Sequence, residues 1–236
     1  MNKLQKIFLA TIILLLAIFS PLLFNIFNNS NGNNNENNNE NNNKNIYLPW
    51  NVEVVNNTTN VFGVKLGESN LNDFLQIWNE KEMELAIIKS PDEDIKNANL
   101  EAYFAELKLG FVLAKVIITL QTNPDELNTM IARASDVSFL RNGSKQITLN
   151  NVDYQQAKNK IIKSISIIPT VNLNEDDFIA RFGNPTQKIV LSDDITHLLY
   201  ENKSLDIVVS NKGKEVLQYV SPQNFDALIK QPLNKK

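Results

Sequence analysis

An unbroken apolar segment near the amino terminus limits how much of this chain can fold as a globular domain. Residues 7–27 read IFLATIILLLAIFSPLLFNIF and contain no charged side chain. At ~1.5 Å per helical residue, a run of this length can cross a hydrocarbon core of ~30 Å. We therefore expect a transmembrane signal anchor within residues 1–27, which contacts the lipid bilayer through residues 7–27.

Two lysines in front of this segment predict its orientation. Lys3 and Lys6 precede the apolar run, and basic flanking residues favour the cytoplasmic side of a membrane. We therefore expect a single-pass protein of the bacterial inner membrane, with the bulk of the chain in the periplasm. A cleaved signal peptide, which would give a secreted protein, is the alternative, but Leu23, Phe24 and Ile26 stand where a small-x-small cleavage motif belongs.

Residues 28–46 are dominated by asparagine. A tract of this composition has almost no side chain to bury, so it is expected to be a disordered linker. The whole chain has 23 basic and 26 acidic residues, and two of the basic residues precede the apolar segment. The part beyond the linker is therefore acidic and lacks a basic cluster, which argues against a nucleic-acid partner.

Two sites in the remaining sequence carry the same signal for the start of a helix. Asn70 with Asp73, and Asn174 with Asp177, each provide a capping asparagine and an acid three residues later, the pattern of a capping box. The apolar positions that follow also correspond: Phe74, Leu75 and Trp78 in the first copy, and Phe178, Ile179 and Phe182 in the second. Each copy is therefore predicted to begin with an amphipathic helix.

Segments typical of β-strands follow both helices. After the first helix they are residues 83–89, 100–107 and 111–120, and after the second they are residues 187–191, 196–200, 205–209 and 215–220. The order of helix and then antiparallel meander thus occurs twice. In RFGNP, Gly183 ends the second helix and is expected to be in the left-handed αL conformation.

Three further helices are predicted outside these meanders. Asn123 caps one helix and Ser221 precedes another, in which Phe225 and Ile229 pack inward. Asn150 starts a third, which is expected to carry Tyr154, Ala157, Ile161 and Ile162 inward. Together these elements predict the α+β class, with two tandem helix-plus-antiparallel-sheet units, residues 47–121 and 122–236.

Two resemblances accompany this pattern. The second unit, with RFGNP at a helix end and LLYENKSLDIVVSNKGKEVLQYV as strands, resembles the small domain of the outer-membrane barrel-assembly lipoprotein and the tandem domains of β-lactamase inhibitory protein. LPWNVEV, VFGVKLG, LEAYF and LQYVSPQNF resemble segments of an uncharacterised group of proteobacterial membrane-anchored envelope proteins. These resemblances imply the fold and an envelope location, and they imply no activity.

The residue types that commonly carry catalysis are scarce. The chain has no cysteine and one histidine, His197, which lies in a strand pattern and is interpreted as a partly exposed residue without a catalytic role. A pairing with Asp193 or Asp194 would require the turn to fold back. No metal site and no cofactor are predicted.

Aromatic side chains are the remaining candidates for a functional surface. Most fall on helix or strand faces, so packing in the core is the simpler interpretation. If one face of a sheet is open, Tyr103, Tyr200 and Tyr219 are candidates for contacts with a partner.

These observations favour a membrane-anchored, noncatalytic protein-interaction module of the bacterial envelope, which binds another envelope protein. Two alternatives stay open. A glycan hydrolase would need two carboxylates about 5–10 Å apart. A carrier of an apolar ligand would need a sizeable apolar cavity between sheet and helices.

Overall fold

The structure is a computed structural model that describes residues 47–78, 82–91 and 97–234. The predicted transmembrane segment and the asparagine-rich linker lie outside these residues. The described part combines five helices with a three-stranded and a ten-stranded sheet, which agrees with the α+β class.

The small sheet begins the described chain. Its strands are β1 (Glu53–Val55), β2 (Thr58–Val61) and β3 (Val64–Lys65), and both pairs are antiparallel. Asn56 and Asn57 connect the first two strands with φ values of 50° and 62°. A two-residue hairpin of type I′ needs positive φ at both positions, which asparagine tolerates better than most residues.

The large sheet is antiparallel throughout. Its strands are β4 (Glu84–Lys89), β5 (Asn99–Leu109), β6 (Val112–Leu120), β7 (Asp136–Phe139), β8 (Lys145–Thr148), β9 (Ile162–Pro169), β10 (Gln187–Ser192), β11 (Ile195–Tyr200), β12 (Leu205–Ser210) and β13 (Val216–Val220). They are ordered β10-β11-β12-β13-β9-β6-β5-β4-β8-β7. Seven of these strands correspond to segments predicted from the sequence.

The expectation of two separate sheets, divided near residue 121, is wrong. Strand β6 pairs with β9, with Ile118 opposite Ile165, and β4 pairs with β8, with Ile87 opposite Ile147. Each of these pairs joins a strand from before residue 121 to one from after it. Residues 47–121 and 122–236 therefore share one hydrogen-bonded sheet.

Strand β9 was not predicted from the sequence, and only its first residue, Ile162, belongs to the helix predicted to start at Asn150. The helix capped by Asn150 ends at Ala157, and turn hydrogen bonds from the amides of Asn159 and Lys160 close it. Ile162 then opens a central strand whose residues are almost all buried. A short apolar run that is buried on both sides has no clear period, so it can be mistaken for helix.

Four helices cover one face of the large sheet, here called the first face. They are α1 (Leu71–Trp78), α2 (Pro124–Ala132), α3 (Asn151–Ala157) and α4 (Glu175–Phe182). Each contributes to a single apolar cluster with first-face side chains such as Ile118 and Ile207. This cluster is the main core.

The repeated capping signal is confirmed. The Asp73 amide donates to Oδ1 of Asn70 at 3.0 Å and the Asn70 amide donates to Oδ2 of Asp73 at 2.8 Å. Asn174 and Asp177 make the same two bonds at 3.0 and 2.9 Å. The phenylalanine that follows each cap, Phe74 or Phe178, is buried in the main core.

The last helical segment packs on the opposite face, here called the second face. It comprises Pro222–Phe225, a π-helical stretch Asp226–Lys230, and Gln231–Asn234, together named α5. Phe225, Ile229 and Leu233 contact Leu199 and Val220 at one end of the sheet. No helix in the described ranges is long and apolar enough to span a bilayer.

Gly183 ends α4 as predicted, but not in the αL conformation. Its φ of 81° and ψ of −171° combine a positive φ with an extended ψ. The αL conformation has ψ near +47°, so the chain leaves α4 in a more extended direction. This geometry leads it through residues 184–186 into edge strand β10.

Candidate functional site

Two of the three candidate tyrosines lie in the main core. Tyr200 and Tyr219 are 1% and 0% exposed. The Tyr200 hydroxyl donates to the Gly183 carbonyl at 3.0 Å, and the Tyr219 hydroxyl donates to the Pro49 carbonyl at 2.7 Å. Burial raises the pKa of both phenols. A side chain in this position cannot reach a partner without local unfolding.

Tyr103 lies on the second face and is also buried. Burial and the nearby Glu84 carboxylate raise the pKa of its phenol. It belongs to a smaller apolar cluster with Ile117, Val208 and other side chains of the second face. The three tyrosines therefore do not form one aromatic surface, because Tyr103 is on the opposite side of the sheet from the other two.

His197 also projects from the second face, and the expectation of partial exposure is wrong. The side chains of His197 and Asp206 are both fully buried, and Nδ1 of His197 lies 2.8 Å from Oδ2 of Asp206. The partner is on the neighbouring strand β12, and not in the turn that holds Asp193 and Asp194. Sequence spacing could not identify this pair, because strand register decides which residues meet.

Glu101 and Asp206 are two acids on the second face. Catalysis by two carboxylates would require them to lie close together. Burial raises the pKa of Glu101 from 4.5 to about 7. Glu101 is on β5 and Asp206 is on β12, and three strands separate these two. At ~4.8 Å per strand the acids are roughly 19 Å apart, well beyond the spacing that two cooperating carboxylates need.

The buried Asp153 has a structural partner. The Arg133 guanidinium donates through Nε to Oδ2 of Asp153 at 2.7 Å, and the Asn150 side-chain amide donates to the same oxygen at 2.8 Å. These contacts fix the start of α3 against the end of α2. Within the described ranges, no three metal-ligating side chains come together.

One edge of the large sheet exposes apolar side chains. Strand β7 is the outermost strand at this edge, and all four of its residues are exposed. Val137 is 48% and Phe139 is 69% exposed. Both side chains belong to the first-face side of the sheet, because they lie opposite Ile147 and Lys145 of β8.

The other edge, strand β10, is protected against pairing with another chain. Lys188 lies on this strand and its Nζ pairs with Glu175 at 2.6 Å. The register shifts between Val190 and Ser192, which is the signature of a bulge. Edge lysines and bulges are common devices against edge-to-edge association, so β7 is the less protected edge.

A polar cavity of about 240 Å³ lies where the small sheet meets one end of the large sheet. Its wall comes from the β1–β2 turn, the segment after β3, the end of β6, the start of β9 and the start of α5. The lining residues are Asn57, Thr58, Leu66, Gly67, Glu68, Gln121, Lys163, Ser221, Gln223 and Asn224.

Lys163 is the cation of this cavity. The pairing of β6 with β9 shifts register between Thr119 and Leu120, opposite Ser164 and Ile162. Lys163 is the extra residue, and such bulges redirect a side chain. Burial lowers the pKa of its ammonium group.

Sequence reasoning missed Val137, Phe139 and Lys163. The alternation in DVSF is a weak strand signal, but a four-residue strand gives no indication of whether it lies at an edge. Lys163 interrupts the apolar run of β9, a strand that was not predicted from the sequence. No known protein family, curated protein or solved structure matches the chain.

Proposed function

We propose that this chain is a noncatalytic, membrane-anchored module of the bacterial envelope that binds another protein through edge strand β7. In this proposal residues 7–27 hold the protein in the inner membrane, and the folded part faces the periplasm. Cleavage behind that segment would give a secreted form of the same module.

The exposure of β7 carries the proposal. Val137 and Phe139 are large apolar side chains on one side of an outermost strand. The less protected edge also presents unpaired backbone donors and acceptors, which makes it a template for another strand. The opposite edge has a paired lysine and a bulge, so the two edges differ in the features that govern strand addition.

The expected mode of binding is addition of one extended segment of the partner to β7. Backbone hydrogen bonds supply affinity in this mode, and alternate side chains supply specificity. Val137 and Phe139 select apolar side chains at every second position of the partner. The Lys145 ammonium lies 5.8 Å from the centre of the Phe139 ring, so an acidic residue near that end is favoured.

Site-specific photo-crosslinking in intact cells tests this proposal. A photoreactive benzoylphenylalanine replaces Ser138 on β7 in the full chain, and a matched chain carries it in place of Gln187 on β10. We expect one discrete adduct from the β7 position and none from β10. The Phe139→Lys variant should abolish that adduct, whereas Val190→Lys, which alters an exposed valine on β10, should preserve it.

Other results would contradict or change this proposal. Equal adducts from both edges, or an adduct that survives Phe139→Lys, would contradict binding through β7. An adduct between two copies of the chain would replace a heterologous partner with self-association.

A further inference from the structure

The cavity at the end of the large sheet has room for a small ligand. Its volume is about 240 Å³. Leu66 and Ser221 are buried at its base, and Gln121 and Gln223 are exposed at its rim. The space is therefore open to solvent and suits a small polar molecule.

Two opposite charges line this cavity without contacting each other. Lys163 forms no ion pair or hydrogen bond with any residue in the described ranges. Glu68 accepts a hydrogen bond from the Thr58 hydroxyl at 2.8 Å, and its other oxygen lies 3.9 Å from the Lys65 ammonium. An ammonium group that is partly removed from water without a counter-ion costs free energy, and an anionic group of a ligand would remove that cost.

Amide side chains add further capacity for hydrogen bonds. Gln121 and Gln223 both line the cavity, and neither side chain makes a hydrogen bond within the described part of the chain. Each amide can donate two hydrogen bonds and accept two. The cavity thus offers one cation, one anion and two uncommitted amides.

We propose that this cavity binds a small zwitterion with the chemistry of a free α-amino acid. The ligand carboxylate contacts the Lys163 ammonium, and the ligand ammonium contacts the Glu68 carboxylate. The Gln121 and Gln223 amides contact the remaining oxygen atoms of the ligand. The binding site is independent of edge strand β7, so it is an addition to the proposed function.

The charge balance favours a zwitterion over a phosphate. The lining contains one lysine and one glutamate, so its formal charge is zero, and the Lys65 ammonium beside Glu68 lies outside the lining and is 61% exposed. A phosphate dianion would need additional cations or several backbone donors, and it would lie near the Glu68 carboxylate. A molecule with a carboxylate and an ammonium group satisfies both charged side chains.

Saturation-transfer-difference NMR tests the proposal on the full chain in lipid nanodiscs. L-alanine is the probe, because its methyl resonance reports binding directly. We expect a saturable methyl signal, and an increase in the dissociation constant of at least about tenfold in Lys163→Met, the loss of one charge-assisted hydrogen bond. Lys163→Met keeps most of the side-chain volume, so near-ultraviolet circular dichroism should show an intact fold.

Three comparisons make the result specific. Glu68→Gln should weaken L-alanine binding while leaving the binding of acetate unchanged, and the exposed Lys108→Met serves as the matched charge control with no effect. Inorganic phosphate should not displace L-alanine. No saturable signal, equal binding by wild type and Lys163→Met, or displacement by phosphate would each overturn the assignment.

Discussion

Nδ1 of His197 lies 2.8 Å from Oδ2 of Asp206, across neighbouring strands β11 and β12, and neither side chain is exposed to solvent. The two residues are not directly opposite each other, because His197 faces Val208 and Asp206 faces Leu199. The contact is therefore diagonal on the second face. A register shift between these strands would break it, so the pair favours the observed alignment.

The His197–Asp206 pair is expected to contribute to stability as a unit. Asp206→Ala or His197→Ala leaves the other polar side chain buried with one partner fewer, which typically costs about 2–4 kcal/mol. The double variant should cost less than the sum of the single costs, because it leaves neither polar group buried without its partner. Urea unfolding of the three variants measures the coupling, and strictly additive costs would show that the two side chains act independently.

Glu101 is expected to make stability depend on pH. Its neighbours across the strands are Ala86 and Thr119, and burial raises its pKa from 4.5 to about 7. Between these pH values the folded protein holds a proton that the unfolded chain has lost. The contribution of this group to stability is therefore full below pH 4.5 and falls as the pH rises to about 7.

The Glu101→Gln variant removes the cost of a charged carboxylate at this site at high pH. At pH 8 we expect it to be more stable than wild type by up to about 3 kcal/mol, at ~1.4 kcal/mol per unit of pKa shift. At pH 4 the two proteins should be equally stable. Unfolding in urea at several pH values measures the difference, with Glu106→Gln, an exposed residue on the same strand, as the charge control. A constant difference at all pH values would contradict this explanation.

The first described residues are held to the core by Tyr219. Its hydroxyl donates to the Pro49 carbonyl at 2.7 Å, and the tyrosine is fully buried. Tyr219→Phe leaves that carbonyl without its partner, which should cost about 1–3 kcal/mol. Tyr154→Phe is the matched control, because the Tyr154 hydroxyl makes no hydrogen bond to another described residue. Thermal unfolding distinguishes them, and equal effects would refute the role of the bond.

Local signals explain which elements could be predicted from the sequence. Asn70 and Asn174 cap their helices because a side-chain oxygen and a backbone amide three residues apart meet in any helical start. The meanders that follow were also predicted, since their turns are short and polar. These features depend on neighbours in sequence, so one chain is enough to identify them.

Long-range pairing explains what could not be predicted. The sequence around Ile162 and Ile165 does not indicate that β9 lies next to β6. This pairing depends on strand register and on burial of both faces of the sheet. The burial of Tyr200 and Tyr219 depends on which helices cover the first face. The cavity around Lys163 gathers residues from five separate segments, so its composition is a property of the fold.

The backbone at Gly183 provides a last prediction, because steric contact and conformational strain can be separated there. Its φ of 81° with ψ of −171° lies in a region that only glycine occupies readily. A Cβ atom added at this position would meet no heavy atom within 4 Å. Any loss on substitution must therefore come from the backbone.

Gly183→Ala is thus expected to cost about 1–3 kcal/mol, and Gly183→Leu should cost a similar amount, because the larger side chain extends into open space. Asn184→Ala, at the exposed neighbouring position, should have little effect. Urea unfolding of the three variants gives the comparison. A cost that grows from alanine to leucine would indicate a steric origin, and a negligible cost for alanine would show that the chain relaxes into another conformation between α4 and β10.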